Sequence, residues 1–435
     1  MVKPWSEAIR FTPRRRRSPT LGLPIATIVV LAGEFISVVG SGMTFPYLVV
    51  YLHDVCGMSD GEVGAALVVR SLAAVLGAVA GGAMSDRIGP ARTSVGVAAI
   101  AAFAALVMAG NDASALQGVA GAIVATAAGS ALVPALDTLL ALSVPTGARK
   151  RAFSWRNTCV NLGAMAGVTG ASIALEVLGV GTGLRWVYLA DAASFLVLAV
   201  FIKWVASRYR VGARAPRPPF PDPARDDASK VPGYGAVVRD PAMRRLFVLV
   251  LLVVAAGFTQ LQVGLPTIAV MTHQVNILGW LFAANMLVIV ALQVPAQRIL
   301  ANCPNTRVLA GAVACMALAW AVVAAAPGPG ALSLFLAAVL FSLGEVAYTP
   351  VMAALVNDFA PKGLHGRYNG AHALAWTVGF AVGAVAVGTL LGGASGQLFF
   401  AASALVLGLS ALGTLRLGHL GGAHQGRHTG TGRAE

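Results

Sequence analysis

Two acidic residues lie deep inside long apolar segments of the chain. Glu34 lies about 12 residues into its segment, or roughly 18 Å along a helix, and Glu345 about 14 residues, or roughly 21 Å, into another. A charged side chain in hydrocarbon costs about 2.5–3.5 kcal/mol on insertion scales, so such residues are functional candidates by default. Removal from water favours a protonated carboxyl group, whereas an approaching cation favours the ionised form. Each acid is therefore a candidate for exchanging a proton with a cationic ligand; the alternative is a protonated glutamate that makes a polar contact between helices.

Other polar side chains also occur inside the apolar segments. Arg70 lies about 9 residues into one of them and cannot release its proton, so it needs a partner. The partner is Glu34 or a substrate anion, unless the side chain extends to the membrane surface. Asp137 and Asp191 lie near segment ends, where interfacial water is within reach, so structural roles are favoured for them, with Asp137 as a secondary candidate for the site. Residues that could orient or contact a ligand, or simply make interhelical contacts, are Gln262, Asn161 and Tyr348.

The composition of the chain identifies the elements that must position these residues. The chain has 435 residues, of which 57% are hydrophobic and 11% are charged. A soluble domain normally carries about 25% charged residues, and a disordered chain needs low hydrophobicity. A soluble globular protein and a disordered protein are therefore both excluded, and a polytopic membrane protein remains.

The apolar segments are long enough to cross a bilayer. A helix needs about 20 apolar residues to do so. By this rule the chain contains twelve spans, at about 22–51, 61–85, 93–110, 114–142, 153–178, 186–206, 246–270, 276–299, 308–326, 331–357, 369–391 and 396–416. A segment rich in proline and charge separates the sixth and seventh spans and is typical of a linker. We predict a cytoplasmic basic arm (1–21), an N-terminal six-helix bundle (22–206), a cytoplasmic linker (207–245), a C-terminal six-helix bundle (246–416) and a cytoplasmic tail (417–435).

The two halves of the chain match each other at an offset of 216 residues. The matching pairs are Pro134 and Pro350, Pro145 and Pro361, Gly147 and Gly363, Arg151 and Arg367, Gly163 and Gly379, and Gly167 and Gly383. Repeated bundles with a ligand site between them are one plan of secondary transporters. We therefore predict an all-α polytopic membrane protein with twelve transmembrane helices in two pseudo-symmetric six-helix bundles.

The basic residues set the orientation of these spans. With the N-terminus placed inside, 29 of the 31 Lys and Arg residues fall on the cytoplasmic side, Arg185 falls outside and Arg70 falls within a span. This bias predicts a multi-pass protein of the cell membrane with both termini in the cytoplasm. The net charge of +14 is thereby explained without nucleic acid as a partner. The four cysteines have no metal-binding spacing, so no metal site is expected.

The loop between spans two and three carries a recognisable motif, Gly82-Ala-Met-Ser-Asp86-Arg87-Ile-Gly89-Pro90-Ala-Arg92. It resembles the signature loop of the major facilitator superfamily, Gly-x-x-x-Asp-Arg-x-Gly followed by basic residues, with Pro90 where a basic residue is usual. We call residues 82–92 the gate motif. An ion pair and helix-end hydrogen bonds at this glycine turn can hold the two halves together on one side and break when the protein switches state.

A second resemblance is to the twelve-helix bacterial multidrug:proton antiporters of this superfamily. It rests on Leu343-Gly-Glu-Val-Ala-Tyr-Thr-Pro350 and on Arg367-Tyr-Asn-Gly370. The resemblance implies that Glu345 serves proton coupling and the binding of cationic drugs, with Arg367 as a secondary candidate. The antiporter motif of span five is only partly present, because Val168 and Ala171 stand where proline and glycine are usual.

These features predict a secondary active transporter that exports amphipathic or drug-like compounds in exchange for protons by alternating access. The alternative is a proton symporter that imports a small metabolite; a remote alternative is a membrane sensor that transports nothing. No nucleotide-binding loop or hydrolase motif occurs, so we expect neither ATP use nor an enzyme. The expected partners are the lipid bilayer, a small amphipathic substrate and protons. We expect a monomer without a cofactor, powered by the proton gradient.

Overall fold

The computed structural model describes residues 22–110, 114–209, 233–272, 277–326, 330–361, 363–391 and 396–429. The basic arm predicted over 1–21 and residues 210–232 of the predicted linker lie outside the described residues.

Twelve helices of the described chain are long and apolar enough to cross a membrane, which confirms the predicted number of spans. They are α1 (Ile25–Thr44), α2 (Asp60–Ile88), α3 (Pro90–Met108), α4 (Ala115–Ser143), α5 (Arg149–Leu178), α6 (Val180–Tyr209), α7 (Pro241–Ala269), α8 (Leu278–Leu300), α9 (Asn305–Ala325), α10 (Ala331–Phe359), α11 (His365–Leu391) and α12 (Gly396–Thr429). A short helix, Tyr234–Arg239, precedes α7.

Several helices begin or end at residues other than those predicted from the apolar runs. The run predicted over 22–51 is interrupted after Thr44, where Phe45–Tyr47 forms a tighter turn around a proline. The proline lacks the N–H that a continuing helix needs. In contrast, α7 is longer than predicted. It begins at Pro241, inside the range predicted as linker, because the Asp240 carboxylate caps it by accepting the Ala242 N–H at 2.9 Å.

The same close helix–helix contacts occur in both halves. An added Cβ at Gly163 of α5 would lie 3.0 Å from the carbonyl oxygen of Phe35 in α1, so only glycine permits this contact. At Gly379 of α11 it would lie 2.8 Å from the carbonyl oxygen of Leu251 in α7. The offset of 216 residues relates both the glycines and their partners, so the sequence repeat corresponds to repeated helix packing.

The two halves meet near one face of the bundle, which we call the terminal face. This face holds the start of α1, the turn between α2 and α3, and the start of α11. Here α2 packs against α11, and α5 packs against α8 and α10. Each half also has its own apolar core; that of the C-terminal half includes Trp320, Phe341 and Phe400, all fully buried.

Candidate functional site

A buried cluster of three charged side chains joins α1, α4 and α5. The Nε and Nη2 atoms of Arg156 each lie 2.7 Å from Oε1 of Glu34. Its Nη1 atom lies 2.8 Å from Oδ1 of Asp137. The Glu34 and Asp137 side chains are 4% and 5% exposed, so water screens these ion pairs weakly.

The position and charge balance of this cluster bear on its chemistry. Glu34 lies about 14 Å along α1 from the terminal face, Arg156 about 10 Å along α5 and Asp137 about 9 Å along α4, at 1.5 Å per residue. When all three groups are ionised, two negative charges face one positive charge. A buried charge without a partner costs several kcal/mol, so the cluster is balanced only when one of its acids carries a proton. The acid in excess makes the cluster a candidate site for reversible proton binding.

The structure corrects two expectations for these residues and adds one residue that the sequence analysis missed. The pairing of Arg70 with Glu34 is wrong, because Glu34 binds Arg156 while Nε of Arg70 donates to Oγ1 of Thr126 at 2.7 Å. Asp137 was expected to reach interfacial water but is only 4% exposed. Arg156 is absent from the sequence-based candidates, because its position just after a basic loop makes it look like one of the charges that set topology. The signal that identifies it is its place two turns inside α5.

His372 brings the C-terminal half to this cluster. It lies on α11, within electrostatic reach of Arg156 on α5. Its Nε2 atom is buried and has no hydrogen-bond partner in the part of the chain that the structure describes. The ring stacks edge-on near Trp376, with centroids 6.5 Å apart. A buried imidazole nitrogen without a partner is costly, which marks His372 as a candidate functional residue that the sequence did not single out.

Glu345 lies at the middle of α10, 14 residues from each end of Ala331–Phe359. Its Oε2 atom accepts a weak hydrogen bond of 3.4 Å from Nδ2 of Asn285 on α8, and the same amide donates to Oγ of Ser342 at 2.8 Å. Among the described residues Glu345 has no cationic partner, which distinguishes it from Glu34. A membrane acid that is only half-buried and unpaired is available to a proton or to a cationic ligand.

An aromatic cluster lies one turn of α10 from Glu345. Tyr348 is fully buried and packs against Phe258 with ring centroids 5.5 Å apart. Phe258 also contacts Phe341 at 5.2 Å and Trp376 at 4.7 Å. The Tyr348 hydroxyl has no hydrogen-bond partner among the described residues. Its place in a ligand site stays a prediction.

Uncharged polar side chains connect the two halves beside the charged cluster. Gln293 of α8 accepts a hydrogen bond from Nδ2 of Asn157 at 3.0 Å and donates to Oγ of Ser154 at 2.7 Å, both on α5. Asn369 of α11 donates to Oγ1 of Thr138 on α4 at 3.0 Å. These buried bonds place the inter-half contact directly next to Arg156 and Asp137.

The gate motif lies at the terminal face and contacts the start of α11. The Asp86 carboxylate accepts the backbone N–H groups of Gly366 at 2.6 Å and Arg367 at 2.9 Å, and Nη1 of Arg367 at 3.0 Å. A carboxylate at a helix N-terminus neutralises its free N–H groups and its dipole. Gly82 allows the approach, because an added Cβ would overlap the carbonyl oxygen of Gly366. Gly89 makes the turn itself, with a φ of +96°.

Two further basic residues, both on α5, stabilise the contact between the halves at this face. Nη1 of Arg149 lies 2.6 Å from Oδ1 of Asp358 and also donates to the carbonyl of Asn357 at 3.0 Å, at the end of α10. Nζ of Lys150 donates to the carbonyl of Cys303 at 2.9 Å, just before α9. The terminal face is therefore closed by charge-assisted contacts from both α2 and α5.

The remaining predicted residues lie outside these contacts. Arg87 and Arg92 of the gate motif are exposed. Gln262 of α7 is exposed, whereas its neighbour Gln260 is buried. Asn161 donates to the carbonyl of Asn157 within α5 at 2.9 Å. The described residues contain no group of three side chains that could hold a metal ion.

Comparison with known proteins identifies the family. The family model of the major facilitator superfamily matches residues 30–277 and 268–429. A bacterial homologue of the iron transporter ferroportin, solved in an outward-facing state, has a similar fold, with a TM-score of 0.72 and 15% identity over 91% of this chain and 99% of that one. The human organic anion transporter MFSD10 (TETRAN) aligns with a TM-score of 0.68 and 17% identity over 89% of this chain and 98% of that one. The E. coli fucose:proton symporter FucP aligns with a TM-score of 0.65 and 15% identity over 90% of this chain and 98% of that one. Among curated proteins, none matches this sequence. The match of the family model over both halves identifies the chain as a transporter of the major facilitator superfamily.

Proposed function

We propose that this protein exports amphipathic, drug-like compounds across the cell membrane in exchange for protons, by alternating access. The observation that carries the proposal is the buried cluster of Glu34, Asp137 and Arg156, which holds one acid more than its base can balance. The terminal face is the cytoplasmic one in this proposal, because the basic residues that flank the spans fall on that side. The energy source is the proton gradient.

The exchange follows from the charge balance of the cluster. With a proton on one acid, Arg156 faces a single carboxylate and the cluster is neutral. When the proton leaves, Arg156 is shared between two carboxylates and the cluster carries one negative charge. A cationic group in the nearby membrane interior stabilises that charged state and disfavours the protonated one. Substrate and proton therefore compete, and this competition couples their movements in opposite directions.

The closed terminal face supports an order of events. Asp86 and Arg149 join the halves on this side, so the described conformation corresponds to an outward-facing state in which a proton enters from outside. Release of the proton to the cytoplasm requires these contacts to break and the opposite face to close. The similar fold of a ferroportin homologue solved in an outward-facing state supports this assignment.

Glu345 supports the substrate class. It lies half-buried in mid-membrane without a cationic partner among the described residues, and the aromatic cluster of Phe258, Tyr348 and Trp376 lies one turn away. An acid beside aromatic rings suits a lipophilic cation, since the charge and the apolar body both find partners. The second resemblance, to the multidrug:proton antiporters, rests on this same stretch of α10.

Transport in inverted vesicles tests the proposal and separates its alternatives. Vesicles with the cytoplasmic side outward receive an imposed gradient, acidic inside, and a fluorescent lipophilic cation is added. The proposed antiporter accumulates the dye only while the gradient lasts. A proton symporter importing a metabolite would not drive dye uptake under this gradient, and a sensor would move nothing.

Variants locate the coupling within the chain. Glu34→Gln and Glu345→Gln should each abolish gradient-driven dye uptake, because each removes a titratable group from the membrane interior. Glu176→Gln is the matched control, since Glu176 is an exposed acid on α5 with no ion-pair partner among the described residues. Unchanged uptake in both membrane-acid variants would refute the proton-coupling role. Equal loss in the control would show a general effect of removing an acid.

A further inference from the structure

The N-terminal half contains a cavity that is separate from the inter-half contacts. Its volume is about 260 Å³, and every residue that lines it belongs to α1, α2, α3, α4 or α6 or to the turn after α1. Arg70 lies on its wall about 15 Å along α2 from the face opposite the terminal face, at 1.5 Å per residue. Drug-sized ligands occupy cavities of about 300–1,000 Å³, so this cavity suits a smaller molecule.

Arg70 presents an unused part of its guanidinium group to this cavity. Its Nε donates to Oγ1 of Thr126, and its central carbon lies 5.3 Å from the ring centroid of Phe45. Both contacts fix the plane of the group and leave the terminal nitrogens without an acceptor in the described chain. A guanidinium held in this way presents two parallel donors, which is the geometry that binds a carboxylate most specifically.

Tyr188 provides the second observation. It is 3% exposed, lines the cavity, and its hydroxyl has no hydrogen-bond partner among the described residues. The ring is fixed by edge-on packing against Tyr51, with centroids 4.8 Å apart. A buried hydroxyl without a partner costs about 1–3 kcal/mol, which a ligand oxygen would recover.

Asp191 restricts the kind of ligand further. It lines the same cavity and is 6% exposed. Its two oxygens accept hydrogen bonds from Ser41 and Thr44, each at 3.3 Å, and retain capacity for another donor. Tyr188 lies within electrostatic reach of both Arg70 and Asp191, so the cavity offers a positive and a negative group near one phenol.

We propose that this cavity binds a small amphipathic zwitterion, with its carboxylate on Arg70 and Tyr188 and its ammonium group on Asp191. The apolar part of the ligand lies against Leu48 and Phe195, which also line the cavity. The inference goes beyond the proposed function, because it names a second and smaller ligand at a site separate from the inter-half contacts. Binding itself requires neither a proton gradient nor Glu34.

Binding to the purified full-length protein in detergent tests the inference with three probes that share a phenyl ring. Phenylalanine carries both charged groups, benzoate carries only the carboxylate and phenethylamine carries only the ammonium. Equilibrium dialysis should give the order phenylalanine, benzoate, phenethylamine from tightest to weakest. Arg70→Gln should weaken phenylalanine and benzoate by about tenfold to a hundredfold, the range for a hydrogen bond to a charged group. Arg185→Gln, which removes an exposed arginine from α6, should change nothing.

Two further variants separate the contributions. Tyr188→Phe should weaken both carboxylates by about twofold to tenfold, the range for a neutral hydrogen bond. Asp191→Asn should bring the affinity for phenylalanine close to that for benzoate. The inference is overturned if none of the probes binds at millimolar concentration, or if Arg70→Gln, with wild-type thermal unfolding, binds phenylalanine as the wild type does. Transport of the dye by a protein that binds none of the three probes would overturn this inference alone. Phenylalanine binding that persists in Glu34→Gln, while dye transport is lost, would support both proposals.

Discussion

Arg156 and Glu34 are ion-pair partners, yet their removal should affect stability very differently. Arg156→Gln leaves Glu34 and Asp137 as two buried carboxylates without the cation that lies within 2.8 Å of both. Breaking a buried pair in this way costs about 3–5 kcal/mol. Glu34→Gln leaves Arg156 facing Asp137 alone, so the charges balance, and the new amide oxygen can still accept from the guanidinium. Its expected cost is about 1 kcal/mol, the difference between a charged and a neutral hydrogen bond.

The assay combines unfolding with transport. The free energy of unfolding of each purified variant is measured in detergent at several pH values, and gradient-driven dye uptake is measured in inverted vesicles. Both variants should lose uptake, but only Arg156→Gln should be strongly destabilised. Its deficit should shrink as the pH falls, because protonation neutralises the two carboxylates that lost their partner.

Arg185→Gln controls for the loss of an arginine, since Arg185 is exposed on α6. If Arg156→Gln unfolds like the wild type at every pH, the cluster is not the buried ion-pair site described here. If Glu34→Gln is destabilised as strongly as Arg156→Gln, the argument from charge balance fails, because balance would then not govern stability.

Three further predictions concern the terminal face. Asp86→Ala removes the acceptor of three hydrogen bonds, so the start of α11 should exchange its amide hydrogens faster, whereas Arg87→Ala, at an exposed position, should leave exchange unchanged. Gly82→Ala should force α2 and α11 apart and make the interior between the halves more accessible to a water-soluble label added at the terminal face, whereas Gly96→Ala, with open space around it, should not. Burial raises the pKa of Tyr234 to about 12, so its hydroxyl stays a donor to the Val79 carbonyl near neutral pH; Tyr234→Phe should therefore change transport equally at pH 6 and pH 8, measured in the same vesicles.

Hydrophobicity alone predicted the number of spans, because a bilayer imposes a length on every crossing helix. It was less able to place helix ends, since these depend on caps and backbone geometry. Asp240 starts α7 by capping it, and a proline ends α1 after Thr44, although both positions lie next to or within continuous apolar sequence. The repeat was visible for a related reason: Gly163 and Gly379 support the same close helix contact, so both are restricted to glycine.

The candidate site was only partly predictable. Depth within a span singled out Glu34 and Glu345, because a charge in hydrocarbon is costly wherever its partner lies. Partners are set by tertiary packing, and the sequence does not contain that information directly. Arg156 lies in the second turn of α5, close to a run of basic residues, so charge counting assigns it to topology. His372 has no distinguishing neighbours in sequence, and its relation to Arg156 depends on how α11 meets α5.

The placement of α5 explains how a proton could change the conformation of the whole protein. Arg156 holds this helix against α1 and α4 through two ion pairs, while Ser154 and Asn157 bind Gln293 in the other half, within one turn. Arg149, about 10 Å away along the same helix, closes the terminal face. Loss of one ion pair on protonation would weaken the hold of the N-terminal half on α5 and leave its contacts with the C-terminal half intact. The balance between two packings would then shift by about 1 kcal/mol, the cost expected for a neutral group at Glu34, because the remaining acid still balances Arg156. Reversing a two-state population needs 5.5 kcal/mol or so, which means that in the proposed mechanism one proton biases the two packings by about fivefold and does not drive the switch by itself.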